Sequence, residues 1–140
     1  EVALLLRQAK AAGLELTVMG GDTMTNSELV TAAGDAADNV LFTFSPDARK
    51  NPDAAPIVEK FRAAKIEPEG YVLYAYAAMQ LFEQTATAAK STKYAALEKA
   101  MRDGNFKTVI GELSFDAKGD QKAPGFVVYR WQGGKYDYVK

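Results

Sequence analysis

EVALLLRQAKAAGLELTVMGGDTMTNSELVTAAGDAADNVLFTF, residues 1–44, decides the fold class. Residues 1–13 read as a helix that opens on the apolar run Val2 to Leu6 and is ended by Gly13, which suits a left-handed C-terminal position. LELTVM at 14–19 reads as a short strand, and Gly20-Gly21-Asp22 as a tight turn. Thr25, Asn26 or Ser27 can cap a second helix that runs to about Gly34. NVLFTF at 39–44 is a second strand of β-favouring residues. Helix, strand, helix, strand in this order is the pattern of parallel α/β structure. A helix in first place, with no capping residue and no strand ahead of it, leads us to expect that a preceding strand is missing. The first residue is Glu1, with no Met and no signal peptide, so we expect a processed or cut piece of something longer.

Outward from this stretch the pattern changes. Ser45 to Pro56 holds Pro46, Pro52 and Pro56 among charged and amide residues and reads as a loop or linker. Pro56 opens a helix over 56–65 whose face carries Ile57, Phe61 and Ala64. After the break at Pro68-Glu69-Gly70, a long helix runs from Tyr71 to about Ala89. Its apolar positions lie nearly all round, which predicts burial on more than one side. Tyr94 to Arg102 is a further amphipathic helix. From Phe106 to Phe115 the period is two, which predicts a single strand. Asp116 to Asp120 is a turn around Gly119, and 124–132 is a strand that returns through Gly133-Gly134 over 135–139.

Composition narrows the function. The 140 residues are 48% hydrophobic and 25% charged, as in an ordinary globular protein. A net charge of −1 gives no electrostatic footprint for nucleic acid or an anionic membrane. No apolar run approaches the ~20 residues of a membrane helix. Cys and His are both absent, which removes disulfides, thiolate nucleophiles, the Ser-His-Asp triad and the usual zinc sites. We therefore expect no enzyme and no cofactor. Gly20-Gly21 lacks the spacing of a phosphate loop, and Asp116 with Asp120 lacks that of a calcium loop. Glu83, Glu98 and Glu112 read as solvated charges.

The last third resembles the type I periplasmic solute-binding proteins of the leucine/isoleucine/valine family. The resemblance rests on Val109-Ile110-Gly111, on Phe115-Asp116-Ala117-Lys118-Gly119-Asp120, and on Val128-Tyr129-Arg130-Trp131 followed by Gly133-Gly134-Lys135. Leu6 to Leu14 leading into Met19-Gly20, and Tyr76-Ala77-Ala78-Met79-Gln80, agree with it. It implies an α/β fold of two Rossmann-like αβα lobes joined by three crossovers, of which this chain holds an incomplete C-terminal portion. Carried over, residues 1–45 end the C-terminal lobe's sheet, 46–123 belong to the N-terminal lobe after a hinge crossover, and 124–140 return to the C-terminal lobe. The implied function is capture of a branched-chain amino acid or similar small molecule for an ABC permease. The location would be the periplasm, or the outer face of a single-membrane bacterium as an anchored lipoprotein. The implied partners are the ligand, the permease and the N-terminal portion of the same protein; a chain with pieces of both lobes can also dimerise by exchanging elements. An amino-acid- or amide-sensing receptor domain on the same fold, and a doubly wound enzyme fragment, are the competing readings.

Two residues lead the candidate site. Asp22 directly follows the strand at 14–19, and doubly wound sheets bind ligands beyond the carboxyl ends of their strands. A carboxylate there can accept charge-assisted hydrogen bonds from an ammonium group, and the resemblance implies an acidic residue at this point, commonly Glu. The alternative is that Asp22 caps a turn or the next helix. Tyr71 begins a helix after Gly70, where the resemblance implies an aromatic wall; the alternative is a core tyrosine. Tyr74 is a neighbour of the same kind, and Thr23 and Met24 are expected beside Asp22 at the cleft.

Overall fold

The computed structural model of the chain describes residues 1–122 and 125–139. It divides into two compact units, one of Glu1–Pro46 with Gly125–Lys140 and the other of Asp47–Pro124. The expected second crossing at residues 123 and 124, and the expected start of the last strand at Pro124, lie outside the described residues.

The first unit begins with helix α1 (Val2–Ala11), strand β1 (Met19–Gly20), helix α2 (Glu28–Ala33) and strand β2 (Leu41–Phe44), and closes with β5 (Val127–Gln132) and β6 (Lys135–Tyr138). The sheet order is β1-β2-β5-β6. Only β1 and β2 are parallel; β5 runs antiparallel to both of its neighbours. The strand expected over 14–19 is thus short. Residues 14–18 precede the ladder, although the Val18 carbonyl accepts from the Leu41 amide at 2.9 Å. The physical reason is position, because among the described residues β1 is an edge strand with β2 as its sole neighbour. Gly133 and Gly134, with φ of 56° and 77°, make the tight β5–β6 turn that favours paired positive-φ residues. The register sets aromatic against aromatic, with Phe42 opposite Tyr129 and Trp131 opposite Tyr136. Phe42 and Tyr129 stack at 5.1 Å, and Tyr136 meets Trp131 edge-on at 4.8 Å.

The second unit holds helices α3 (Ala55–Ala63), α4 (Val72–Ala89) and α5 (Tyr94–Asp103) and strands β3 (Phe106–Thr108) and β4 (Gly111–Leu113). The single strand expected over 106–115 is a hairpin instead. The chain reverses at Val109-Ile110, and Gly111 enters the return strand at φ 106°. Period two survives across such a turn, so alternation alone could not reveal it. In α3 the buried residue is Val58, flanked by Ile57 and Phe61, while Ala64 lies past its end and is exposed. The core joins Ala48, Ala54, Val58, Leu73, Ala77 and Val109. The expectation that α4 is buried on more than one side is corrected. Leu73, Ala77 and Thr85 are buried, but Ala75, Ala78, Met79 and Phe82 are exposed, because no described element covers that face. Side chains fix the hairpin to α4: Gln80 Oε1 accepts from the Val109 amide at 2.9 Å and Gln84 donates to the Lys107 carbonyl at 3.0 Å. Asn51 donates to the Val109 carbonyl at 2.9 Å, so both backbone groups of this buried residue are paired.

Candidate functional site

β1 ends at Gly20, and the chain then makes a 3-10 turn over Asp22–Thr25. Asp22, Thr23 and Met24 therefore stand together beyond the carboxyl end of a parallel strand. Three contacts hold this turn. Thr25 Oγ1 donates to the Asp22 carbonyl at 2.8 Å, and the Met24 amide donates to the Gly21 carbonyl at 3.2 Å. The third comes from the far end of the chain, where Trp131 Nε1 donates to the Met24 carbonyl at 2.8 Å in a buried bond. Gly20 leaves room for the Met24 side chain, since an added Cβ would lie 2.6 Å from Met24 Sδ and displace it.

The three side chains differ in access. Asp22 is half-buried and Thr23 exposed, whereas Met24 is 8% exposed and turned against Gly20. At the start of the next helix, Asn26 Oδ1 accepts from the Glu28 amide at 2.8 Å. Ser45 follows β2, so it too lies beyond the carboxyl end of a parallel strand, and its carbonyl accepts from the Tyr129 hydroxyl at 2.9 Å. Phe126 stands at the same sheet end, one residue before the Val127 that pairs with Phe44, and it is 72% exposed. Sequence reasoning passed over Phe126, because only the antiparallel register brings it to this end.

Tyr71 and Tyr74 lie in the second unit. Tyr71 immediately precedes α4, and its carbonyl accepts from the Ala75 amide at 2.8 Å. Its side chain is 55% exposed, unlike a core tyrosine. Tyr74 packs half-buried against the unit's core and meets Tyr71 edge-on at 6.4 Å. Pro68 is fully buried and Gly70 has φ 55°, so the turn ahead of Tyr71 is closely determined. Glu67 closes it electrostatically. Its carboxyl is held below the ordinary 4.5 by the Arg62 guanidinium and then by Arg49, against the opposing effect of partial burial.

Other acidic residues are used structurally. Asp116 Oδ1 accepts from the amides of Lys118 and Asp120, the pattern of an Asx-type turn. Among the described residues no group of three or more His, Cys, Asp or Glu could hold a metal ion, and no helix is long and apolar enough to cross a membrane.

Residues 1–135 match the Periplasmic binding protein family. The chain is 47% identical over its full length to the Leu/Ile/Val-binding protein homolog 1 of Brucella suis, of which it spans 39%. Its fold superimposes on a leucine binding protein, LivK, of Thermotoga maritima with a TM-score of 0.84 at 25% identity, covering 99% of this chain and 41% of that one. An ABC transporter substrate-binding protein of Desulfitobacterium hafniense in complex with Leu gives a TM-score of 0.73 at 25% identity, covering 99% and 40%. The architecture is that of the type I periplasmic binding proteins, of which it forms about two fifths; the chain belongs to the periplasmic binding protein family.

Proposed function

We propose that this chain is the C-terminal portion of an extracytoplasmic solute-binding protein that captures a branched-chain amino acid or similar small molecule and delivers it to an ABC permease. In this reading residues 1–45 and 124–140 belong to the C-terminal lobe and 46–123 to the N-terminal lobe. The observation that carries it is Asp22, set directly beyond the carboxyl end of parallel strand β1 in a turn that Trp131 holds from within the core. Its carboxylate would accept the ligand ammonium, while the exposed ring of Tyr71, braced edge-on by Tyr74, would cover the aliphatic side chain. Contacts from two lobes favour the closed form only when ligand is bound, which is the signal a permease can read. The names of the Brucella relative and of the leucine-bound neighbour support this ligand class.

The remaining portion of such a protein would complete the first unit's sheet. Leu14 and Leu16, ahead of β1, and Met19 within it are exposed, and β1 lies at the sheet's edge. Helices α1 and α2 pack beside one another, and right-handed crossovers on one face of a sheet advance in one direction. A strand supplied ahead of α1 would therefore pair with that open edge.

Calorimetry on the full-length protein tests the site, with leucine, isoleucine, valine and 4-methylpentanoate, which is leucine's skeleton without the amine. Asp22→Ala should weaken leucine about tenfold or more, the worth of a charge-assisted hydrogen bond of about 1.5–3 kcal/mol, and leave 4-methylpentanoate unchanged. Unaltered leucine affinity would make Asp22 a turn residue and overturn the proposal.

A further inference from the structure

One side chain joins the start of the second unit to the turn that presents Tyr71. Asp47 is that unit's first residue. Its Oδ1 accepts from the Arg49 amide at 3.0 Å and from Arg49 Nε at 2.9 Å, and its Oδ2 accepts from Arg49 Nη2 at 2.8 Å. The remaining guanidinium nitrogen, Nη1, donates to Glu67 Oε1 at 2.9 Å. From Glu67 the path to Tyr71 is short and rigid. The Glu69 amide donates to the Glu67 carbonyl at 2.9 Å, Pro68 is fully buried, and the Val72 amide donates to the Glu69 carbonyl at 3.2 Å.

The arrangement differs from an ordinary surface ion pair. The Arg49 and Asp47 side chains are only 21% and 13% exposed, and the contact is the two-pronged guanidinium–carboxylate kind that fixes geometry as well as charge. Arg62 also grips Glu67, at 2.8 Å, but from within α3 rather than from the stretch beside the crossing. Ala48 is buried in the core with Leu73 and Ala77, so the backbone that carries Arg49 is anchored without its side chain. An ammonium has no planar fork with which to hold both carboxylates in these positions.

We infer that Arg49 is a positioning residue that couples the crossing into the second unit at Asp47 to the turn that presents Tyr71. The inference rests on the reading of Tyr71 as a ligand contact. A change of backbone angle at the crossing is passed through the guanidinium to Glu67 and so to the tyrosine, and ligand pressure on the ring returns along the same route. Such coupling makes the ligand wall sensitive to the crossing's conformation.

A double-mutant cycle in the full-length protein tests this, with leucine affinity measured for Arg49→Met, Tyr71→Ala and the pair. Amide exchange at Glu69 and Val72 is followed without ligand, and far-ultraviolet circular dichroism checks folding. Arg49→Met should weaken leucine about three- to tenfold and speed exchange at Glu69 and Val72, yet weaken leucine no further in the Tyr71→Ala background. Arg49→Lys should resemble Arg49→Met, whereas Arg62→Met should leave leucine affinity near that of the parent. Equal losses from Arg49→Met in both backgrounds, or unchanged exchange at both amides, would overturn the coupling. A Tyr71→Ala variant that binds leucine normally would instead overturn the ligand-wall reading on which the inference stands.

Discussion

In the unit formed by Glu1–Pro46 and Gly125–Lys140 the large buried side chains are aromatic, and they meet across antiparallel strands: Phe42 on β2, Tyr129 and Trp131 on β5, with Tyr136 on β6 set edge-on against them. In Asp47–Pro124 the main buried cluster is small and aliphatic, with Phe106 buried outside it and Phe61, Tyr74 and Tyr76 packed around it, and side-chain amides bind the backbone of the β3–β4 hairpin. The difference follows from connectivity. The first unit is made of two stretches far apart in sequence, so its cohesion must come from sheet register and the faces of large rings. The second is continuous, and its helices need only hold a short hairpin whose two-strand ladder would be marginal alone. One chain thus carries two kinds of cohesion.

Truncating the shared aromatic should break this comparison most strongly. Trp131→Ala removes a fully buried ring and the donor to the Met24 carbonyl, and should cost about 3–5 kcal/mol. Trp131→Phe keeps a ring and should cost about 1–3 kcal/mol through the unpaired carbonyl. Urea unfolding followed by circular dichroism measures both, and a loss below 1 kcal/mol for the alanine variant would show that the rings are not the first unit's main support.

Gln80→Ala probes the other unit. It strips the acceptor from the buried Val109 amide and should cost about 1–3 kcal/mol. Exchange at Val109 should rise, while the Trp131 emission transition keeps its midpoint. A matching shift in the tryptophan transition would mean that the two units unfold as one.

The smallest effect is acidic. The Glu67 carboxyl is lowered in the folded state by Arg62 and then Arg49, so its contribution is full above the ordinary 4.5 and is lost as pH falls through the lowered value. Glu67→Gln should therefore be less stable than the parent at pH 7, and the gap should narrow in acid as the parent's carboxyl is protonated. Denaturation midpoints at neutral and acid pH read this directly. A constant gap would assign the variant's effect to packing. Asp35 in the first unit is lowered in the same way by Lys10, but both groups are exposed and solvent screens the pair.

Much of this molecule was legible before any coordinates. The helices follow from periodicity and their stops, and Asp116 to Asp120 is the turn its residues announce. The β5–β6 hairpin follows from Gly133-Gly134 between two β-rich runs. The division of 106–115 was not legible, since alternation reads alike through a tight turn. The exposed face of α4 was equally hidden, because Met79 and Phe82 look like core residues until the neighbouring elements are known. In the candidate site, local signals singled out Asp22 and Tyr71. They could not show that Met24 is turned inward or that Phe126 reaches the sheet end beside Ser45.

By itself the sequence determined the α/β class, the family, and the turns on which Asp22 and Tyr71 sit, because those depend on residues close along the chain. The tertiary structure alone decided what holds those turns. The Met24 carbonyl is paired by Trp131 and the Val109 amide by Gln80, and Glu67 is tied to Asp47 through Arg49. The bonds from Trp131, to Gln80 and from Arg49 to Glu67 are directional contacts between residues distant in sequence. Hydrogen-bond geometry is satisfied only after packing has brought donor and acceptor together.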